Sequence, residues 1–304
     1  MSNLENNREL TCIDNILLCF TSVFGMKITK ISDKFKHELI YYVVVLELYI
    51  QTLLLYIYNN FLDYTIMTTL IAYANIQQSF PLGKMPLALV PEKLRLLTKN
   101  SNLRVQQRHR CRQLAHFLLW TLAQKAEINT ALLGQIYHTA SGRPQFPIDD
   151  IDFNISHSGD WVAVVLNVAK DEKCAVGIDI ECSKKQRNYT ALLHHFASPD
   201  EQHWFTRQLN AEQAFYRIWC LREAILKSQG VGIVKLSEVQ HDPVAKTLHS
   251  AYCPQGQLTF SSELPFYLAV FAEQSAVQNA QYFCWQENRL HQNQLKNVLI
   301  YTVN

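Results

Sequence analysis

The first 66 residues of the chain lack residue types that nearly every globular domain uses. Residues 1–66 contain no alanine, proline or tryptophan, whereas all 9 prolines and all 5 tryptophans of the chain lie after Met67. Alanine is among the commonest residues of globular domains, so this segment is not expected to form one. Its many Asn, Ile, Tyr, Lys and Phe residues are those that AT-rich DNA encodes. We therefore interpret residues 1–66 as an N-terminal extension that is artefactual or poorly ordered, with translation starting at Met67.

One stretch of this extension supports a different interpretation. Residues 41–62 read YYVVVLELYIQTLLLYIYNNFL, and about 20 apolar residues suffice to span a bilayer. The lysines that precede this stretch would keep the N-terminus in the cytoplasm and export everything after residue 62. A membrane-anchored protein is therefore the alternative to the artefact, although we expect no membrane contact.

Composition restricts the class of protein that follows Met67. Hydrophobic residues make up 48% of the chain and charged residues 18%, which is typical of a globular fold. The net charge of +2 gives no reason to expect nucleic acid as a partner. The 8 cysteines form no CxxC pair and no Cys/His metal spacing. These features exclude a zinc ribbon and a disulfide scaffold, and they indicate reduced thiols in a cytoplasmic protein.

Helix and strand patterns after Met67 predict an α+β fold. Helical periodicity covers residues 92–125 and 201–229, and Gly230 is a natural stop signal for the second helix. Apolar and β-branched runs predict strands at residues 69–76, 151–155, 161–168, 176–181, 257–260 and 266–271. The segment 156–160 has the composition of a turn. Because these elements fall into two comparable groups, a duplicated architecture is expected.

The strand VGIDIE carries the first candidate site. On a strand the side chains of Asp179 and Glu181 leave the same face, so two carboxylates lie side by side. A hard divalent cation would neutralise such a pair, and Gly177 would let a ligand or a neighbouring backbone approach closely. An ordinary solvated strand face is the alternative.

The segment RIWCLREAILKSQG carries the second candidate site. Trp219, Glu223 and Lys227 are each four residues apart and form one predicted stripe of the helix, with Cys220 in the core. Glu223 could act as a third metal ligand or as a base, and Lys227 could meet a phosphate. A surface ion pair is the alternative.

A third group of residues lies between residues 141 and 158. In SGRPQF, the residues Gly142 and Pro144 predict a turn that presents Arg143. In IDFNISHSGDW, Ser156 and His157 are predicted at a strand end, where hydroxyl, imidazole and backbone N–H groups are available. The chain has no G-x-S-x-G elbow, so the pattern does not indicate a hydrolase triad.

The four motifs in this order closely resemble the Sfp-type 4′-phosphopantetheinyl transferases, which include holo-[acyl-carrier-protein] synthases. SGRP, FNISHSG, GIDIE and WxxREAxxK match the G-K/R-P turn, the N-x-S-H segment, the G-I-D-x-E strand and the W-x-x-K-E-x-x-x-K helix of that family. The resemblance covers the chain from about Met67 to its C-terminus. One position departs from the pattern, because Arg222 replaces the usual lysine before the glutamate.

The resemblance implies an enzyme with a specific fold, reaction and metal. The fold would be a pseudo-dimer of two similar α+β halves, residues 67–172 and 173–304, with the active site in the cleft between them. Members of the family move the phosphopantetheine arm of coenzyme A to a serine of an apo acyl or peptidyl carrier protein, and they release adenosine 3′,5′-bisphosphate. By the same resemblance, Asp179, Glu181 and Glu223 would hold Mg²⁺ with the pyrophosphate of coenzyme A. Glu223 would also be the general base, and Lys227 would pair with the pyrophosphate.

The first half would supply most of the nucleotide contacts. Arg143 would lie along the adenine nucleotide, and Ser156 and His157 would contact the 3′-phosphate. Lys93 and Arg112 would lie near the same phosphate, while Arg108 and Arg110 would either help there or attract an acidic carrier. We expect a monomer. The carrier is left open among those of fatty-acid, polyketide and peptide synthesis and of lysine biosynthesis through aminoadipic acid. The alternative is a degenerate module that binds coenzyme A or a carrier without transfer.

Overall fold

The computed structural model describes residues 49–54, 68–96, 102–169, 175–183, 187–273, 277 and 279–304. The chain divides into two compact units, residues 1–65 and 66–304. In the first unit, the described residues 49–54 are helical. The rest of the predicted membrane stretch, as well as Met67, lies outside the described residues. Within the ranges given above, no helix combines the length and apolar character that crossing a membrane requires.

The second unit contains strands and helices in mixed order. Its α-helices are α1 (Glu92–Arg95), α2 (Leu103–Lys125), α3 (Tyr189–Leu193), α4 (Pro199–Thr206) and α5 (Ala211–Ser228). Its strands are β1 (Thr68–Asn75), β2 (Tyr137–His138), β3 (Pro144–Gln145), β4 (Ile151–Ser158), β5 (Trp161–Val168), β6 (Val176–Glu181), β7 (Gln240–Asp242), β8 (Thr247–His249), β9 (Gly256–Ser261), β10 (Tyr267–Glu273), β11 (Gln281–Gln286), β12 (Arg289–Asn293) and β13 (Leu299–Val303). Short 3₁₀ segments occur at Leu82–Lys84, Leu87–Leu89, Thr130–Gln135 and Ile233–Glu238.

These strands form two large sheets and a small ribbon, which confirms the predicted α+β class. The first sheet has the order β12-β11-β1-β5-β4, and the second has the order β6-β10-β9-β13-β8-β7. Neighbours are antiparallel except for the pairs β1–β11 and β13–β8, which are parallel. Strands β2 and β3 pair separately. The pseudo-dimeric relation between two halves stays a prediction.

Three apolar clusters hold the layers of the second unit together. One lies between α2 and the first sheet, one between the two sheets, and one between the second sheet and α5. Side chains of β1 and β5 alternate, so that Leu70 and Val164 pack with α2 while Ile71 and Val165 face the second sheet. Strand β10 alternates in the same way, with Phe271 packed on the α5 side. The result is a helix–sheet–sheet–helix arrangement in which the central strands β1, β5 and β10 bury both faces.

Several segments differ from their sequence-based prediction. Strand β4 continues to Ser158, so the residues Ser156 to Ser158 are strand and not turn. The predicted helix over 201–229 is two helices, because the segment 207–210 interrupts it and Asn210 caps the second helix at the amide of Gln213. Strands β11 and β12 belong to the first sheet although they lie far inside the predicted half 173–304. The sheets therefore do not divide at the predicted residue.

The two large sheets meet along their edge strands through a ladder of side chains. Strand β4 ends one sheet and β6 ends the other. Every second side chain of β4 accepts a hydrogen bond from a backbone N–H 24 residues later. These four bonds are Val176 N to Asp152 Oδ2 (2.9 Å), Ile178 N to Asn154 Oδ1 (3.3 Å), Ile180 N to Ser156 Oγ (3.1 Å) and Cys182 N to Ser158 Oγ (3.0 Å). We call them the β4–β6 ladder. It pairs three N–H groups of β6 and that of the next residue, Cys182, on the side where β6 has no neighbouring strand.

Gly177 lets helix α5 lie directly on β6. A Cβ atom at this position would stand 1.9 Å from the carbonyl oxygen of Ala224 and 3.0 Å from the amide nitrogen of Ser228. The predicted close approach at Gly177 is therefore confirmed, and the approaching group is the backbone of α5. This contact brings the C-terminal half of the helix against Asp179.

Replacing Gly177 with alanine is expected to destabilise the second unit by about 3 kcal/mol, because the added methyl group forces backbone apart from backbone. Urea unfolding would measure this change. Gly83→Ala is the matched control, since no atom lies within 4 Å of the added Cβ, and its effect should stay within about 0.5 kcal/mol. Equal stabilities for the two variants would contradict the close approach.

Candidate functional site

An acidic cluster lies where β6 meets helix α5. Asp179 and Glu223 are buried, with 3% and 7% of their surface exposed, and Glu181 is half-buried. Lys227 Nζ lies 2.6 Å from Asp179 Oδ1 and forms an ion pair with it. Ser156 Oγ donates to the same oxygen at 3.1 Å. The two β6 carboxylates thus share one side of the strand with a glutamate and a lysine of α5, as the motifs predict.

Burial and repulsion from Asp179 make Glu181 and Glu223 harder to ionise. Burial and then the charge of Asp179 raise the pKa of Glu223 to about 7, although Lys227 opposes the shift. Burial and the charge of Asp179 also raise the pKa of Glu181, which the hydroxyl of Ser158 partly offsets. Each anion therefore senses the others in a poorly solvated site. Such a site is stabilised by any cation that enters it.

The α5 face that carries Glu223 and Lys227 differs in part from the predicted stripe. Trp219 packs on the rings of Phe215 and Phe196, away from the carboxylates. Cys220 is buried in the core as predicted, yet it also borders the cluster, because burial and then the charges of Asp179 and Glu181 hold the pKa of its thiol well above its usual range. The spacing of four residues predicted Trp219 on the same face as Glu223, and it could not show that Cys220 is the residue that borders the cluster.

The donor set of the cluster fits a hard cation that binds together with a phosphate ligand. Asp179 Oδ2 is buried and has no hydrogen-bond partner, which is costly for an anionic oxygen outside water. Over the part of the chain that the structure describes, however, no three His, Cys, Asp or Glu side chains are grouped closely enough to hold a metal on their own. Mg²⁺ commonly takes one or two carboxylates and completes its shell with substrate phosphates and water. Asp179, Glu181 and Glu223 offer oxygens of this kind.

A cleft of about 620 Å³ lies on the other face of β4. Lys93, Arg112 and His157 all line it, although they come from α1, α2 and β4. His116 and His138 also line it, together with apolar side chains such as Leu133 and Phe153. The structure thus brings three predicted nucleotide contacts to one cavity. The motif pattern missed His116 and His138, because neither lies near a recognisable motif.

The field around His157 is positive. Burial, then the charges of Lys227, Arg108 and Arg112, lower the pKa of its imidazole. These cations come from both sides of β4, so the charge of the acidic cluster's lysine reaches the cleft. Arg110 is used differently, since its guanidinium stacks 5.0 Å from the Phe80 ring and donates to the carbonyl of Gln78. A cleft lined in this way suits an anionic ligand with an apolar part.

A second open cleft, of about 690 Å³, lies elsewhere on the unit. It is lined by His194, His195, His241 and His249, among others. None of the predicted site residues lines it. The predicted residues thus concentrate at the first cleft and the acidic cluster.

Comparison with known proteins assigns the family. A family profile described as the 4′-phosphopantetheinyl transferase superfamily matches residues 175–282. A protein of Haemophilus influenzae that carries the provisional name of a 4′-phosphopantetheinyl transferase is 52% identical over 238 residues, which are 78% of this chain and 100% of that protein. The chain belongs to the 4′-phosphopantetheinyl transferase superfamily. The predicted resemblance and the prediction of a transferase enzyme are confirmed, and the Sfp type is compatible with them.

Further relatives of this transferase match over shorter stretches. The AcpT transferase of Salmonella typhimurium is 32% identical over 114 residues, or 36% of this chain and 57% of that protein. A 4′-phosphopantetheinyl transferase of Bacillus subtilis is 31% identical over 142 residues, or 43% of this chain and 59% of that protein. Members of the superfamily use coenzyme A and act on carrier proteins, typically with a divalent metal.

Arg143 of the transferase lies in the protein interior, in contrast to the turn that was predicted to present it. Only 5% of the residue is exposed. Its Nη2 forms an ion pair with Asp152 at 2.6 Å, and its Nε donates to the carbonyl of Lys227 at 3.1 Å. The guanidinium therefore holds the end of α5 against β4 instead of projecting into the nucleotide cleft. The turn geometry was foreseeable, but the buried partner was not.

Ser156 and His157 point in opposite directions, which corrects the expectation that they act on one phosphate. Successive strand residues face opposite sides, so His157 enters the cleft while Ser156 enters the acidic cluster. Lys227 Nζ donates to Ser156 Oγ at 3.0 Å. The reason for the error is that residues 156–158 are strand, where the sequence composition predicted a turn.

Arg222, the one departure from the family pattern, is a core residue. It is 1% exposed, and its guanidinium forms a two-point ion pair with the fully buried Glu201. It also donates to the carbonyls of Leu236 and Val239. His241 Nδ1 lies 2.7 Å from the same carboxylate. Arg222 therefore joins α4, α5 and the segment before β7, and it lies outside the acidic cluster.

Restoring the family's lysine, Arg222→Lys, should destabilise this chain by about 2–3 kcal/mol. A lysine cannot bind both oxygens of Glu201 and still reach the two carbonyls, so buried acceptors lose their partners. Urea unfolding measures the change, with the exposed Arg207→Lys as control. A stability equal to that of the parent chain would contradict the core role of Arg222.

The same network should make the fold less stable in acid. Burial lowers the pKa of His241 from its usual 6.5, despite the hydrogen bond to Glu201. Burial opposes ionisation of Glu201, but hydrogen bonds from His241 and Arg222 overcome it and lower the pKa below its usual 4.5. The unfolded chain therefore binds more protons than the folded one, so stability is lost first below about pH 6.5 and again below about pH 4.5.

Urea unfolding at pH 7.5, 6.0 and 5.0 tests this dependence. His241→Asn removes the titrating ring and keeps an N–H donor for Glu201. The stability difference between the parent chain and this variant should shrink as the pH falls. Parallel pH curves for the two proteins would show that His241 does not contribute.

Proposed function

We propose that the chain transfers the 4′-phosphopantetheine arm of coenzyme A to a serine of an apo carrier protein in a Mg²⁺-dependent reaction, releasing adenosine 3′,5′-bisphosphate. The observation that carries this proposal is the junction of β6 and α5. There Asp179, Glu181, Glu223 and Lys227 form a buried charged cluster beside a cationic cleft. Family membership supports the reaction class, and the cluster supplies the residues that the chemistry requires.

Coenzyme A has a nucleotide end that matches the cleft on β4. Lys93, Arg112 and His157 would bind its phosphates, and the apolar wall would cover the ring. The positive field that Lys227, Arg108 and Arg112 create at His157 would attract the anionic substrate. The pyrophosphate would then lie near the acidic cluster.

The transfer requires a deprotonated serine and a stabilised leaving group. The serine oxygen of the carrier forms a bond to the phosphorus that bears pantetheine, while the bond from that phosphorus to the bridging pyrophosphate oxygen breaks. Glu223 accepts the hydroxyl proton, and Lys227 pairs with the charge that develops on the leaving phosphate. Mg²⁺ held by Asp179, Glu181 and Glu223 would supply charge neutralisation at the pyrophosphate.

A module that binds coenzyme A without transfer is the second candidate function. The cleft alone would support it. The buried cluster favours the enzyme, because it places Glu223, whose pKa is raised to about 7 and which suits a general base, beside the candidate cation site. The predicted monomeric state, the cytoplasmic location and the identity of the carrier stay predictions.

Removing a carboxylate of the cluster should abolish transfer. Glu223→Gln is expected to lower the rate at least about a hundredfold, since general-base catalysis alone contributes that much. Asp179→Ala should lower it to a similar extent, because the proposed Mg²⁺ site loses a ligand. Mg²⁺-dependent labelling of an apo carrier with a fluorescent coenzyme A measures the rate. Glu238→Gln, at an exposed glutamate paired with Lys235, is the control. Near-normal labelling by the Glu223 variant would refute its role as base.

Lys227→Ala should separate transfer from metal binding. The rate should fall because the leaving phosphate loses its cation. Manganese binding should persist or tighten, because Asp179 Oδ1 loses the ammonium that now neutralises it. Single-turnover labelling and electron paramagnetic resonance of Mn²⁺ measure the two quantities, with Lys235→Ala as control. Loss of Mn²⁺ binding would show that Lys227 supports the metal site.

A further inference from the structure

Ser158 contacts one carboxylate of the cluster through a hydroxyl whose direction is fixed. Its Oγ accepts from the backbone N–H of Cys182 at 3.0 Å and lies 2.8 Å from Glu181 Oε2. A serine hydroxyl has a single hydrogen, and the backbone N–H already occupies one lone pair of its oxygen. Since an ionised carboxylate only accepts, Ser158 must donate its hydrogen to Glu181.

Ser156 makes the corresponding hydrogen bonds for the other carboxylate of β6, that of Asp179. The N–H of Ile180 and the ammonium of Lys227 both donate to Ser156 Oγ, at 3.1 Å and 3.0 Å. Both lone pairs of this oxygen are therefore in use, and its hydrogen goes to Asp179 Oδ1 at 3.1 Å. In each case a backbone N–H, of Ile180 in β6 or of Cys182 directly after it, orients a serine of β4, which in turn orients the carboxylate of the residue before that N–H.

The other two rungs of the β4–β6 ladder have different partners. Asn154 Nδ2 donates to the carbonyl of Lys227 at 3.1 Å, and the β6 residue beside this rung is Gly177, which has no side chain. Asp152 pairs with Arg143. Hydroxyl side chains thus occur on this face of β4 only at the two rungs that adjoin a carboxylate.

We propose that Ser158, in concert with Ser156, is a positioning residue that presents the carboxylate of Glu181 to the divalent cation of the transfer reaction. This inference rests on the proposed function. Glu181 is a half-buried side chain with several rotamers, and the charge of Asp179 two residues away repels it. The hydroxyl holds Oε2, and Oε1 would be the oxygen offered to the cation. Loss of a group that orients a ligand in this way typically weakens metal binding 10–100-fold.

Two isosteric variants separate the hydroxyl from the volume of the side chain. Ser158→Thr keeps the donor, and Ser158→Val replaces it with a methyl group of the same size. Mn²⁺ binding would be titrated by electron paramagnetic resonance with saturating coenzyme A, against a blank without protein. We expect Ser158→Val to weaken Mn²⁺ binding about tenfold and Ser158→Thr to bind within about threefold of the parent chain. Ser158→Cys, with a weaker donor, substitutes for the Val variant if that variant does not fold.

Labelling kinetics supply a second readout. The Mn²⁺ concentration for half-maximal rate should rise about tenfold in Ser158→Val, while the rate at saturating Mn²⁺ stays within about threefold. Ser250→Ala is the control, because this buried hydroxyl accepts from the amide of Tyr252 and directly follows strand β8, outside the cluster. A purely structural role would lower the rate at all metal concentrations equally.

The outcomes distinguish this inference from the proposed function. Equal Mn²⁺ affinity in the Thr and Val variants, with normal Mn²⁺ binding by the parent chain and none by Asp179→Ala, would overturn the role of Ser158 alone. Absence of Mn²⁺ binding by the parent chain would overturn the proposed function and this inference together. Selective weakening in the Val variant would support both.

Discussion

The β4–β6 ladder is the interaction on which the rest of the second unit depends. Two sheets that meet at their edges would ordinarily leave a row of backbone N–H groups without partners. Here the polar side chains of β4 bind those groups at intervals of two residues. The spacing between the strands is then set by side-chain length, and the guanidinium of Arg143 reaches the carbonyls of both Phe153 and Val176. The same bonds that join the sheets also set the position of the acidic cluster.

The cluster concentrates negative charge where helix α5 is packed and hydrogen-bonded against β4 and β6. Gly177 brings α5 onto β6, the carbonyl of Lys227 accepts from both Asn154 and Arg143, and the lysine side chain returns to Asp179. Burial raises the pKa of Glu223 first, and the charge of Asp179 adds to the shift because the single ammonium of Lys227 does not offset it. The site therefore carries an excess of negative charge, which a cation that binds together with a substrate can neutralise.

The sequence predicted the apolar strands and the charged motifs well, and it predicted buried polar partners poorly. Strand β5 and strand β6 follow directly from their runs of β-branched residues. In IDFNISHS the polar residues of the ladder, Asp152, Asn154, Ser156 and Ser158, occupy every second position. The sequence alone could not identify their partners, because these are backbone N–H groups 24 residues later. The sequence did not indicate that Arg143 and Arg222 are buried, because their partners Asp152 and Glu201, 9 and 21 residues away, give no periodic signal.

The return of β11 and β12 to the first sheet gives the chain an unusual order of assembly. Strand β1, the central strand of the first sheet, pairs with β11, and Leu70 lies opposite Gln281. This pairing therefore joins segments more than 200 residues apart in the sequence. Such a non-local pairing is slow to form, because the entropy of closing a long loop must be overcome first. During synthesis on the ribosome, the first sheet would keep one flank of β1 open until almost the whole polypeptide has emerged. Protection of that flank, by a chaperone or by transient partners, would then matter more for this protein than for one whose sheets are each built from a contiguous segment.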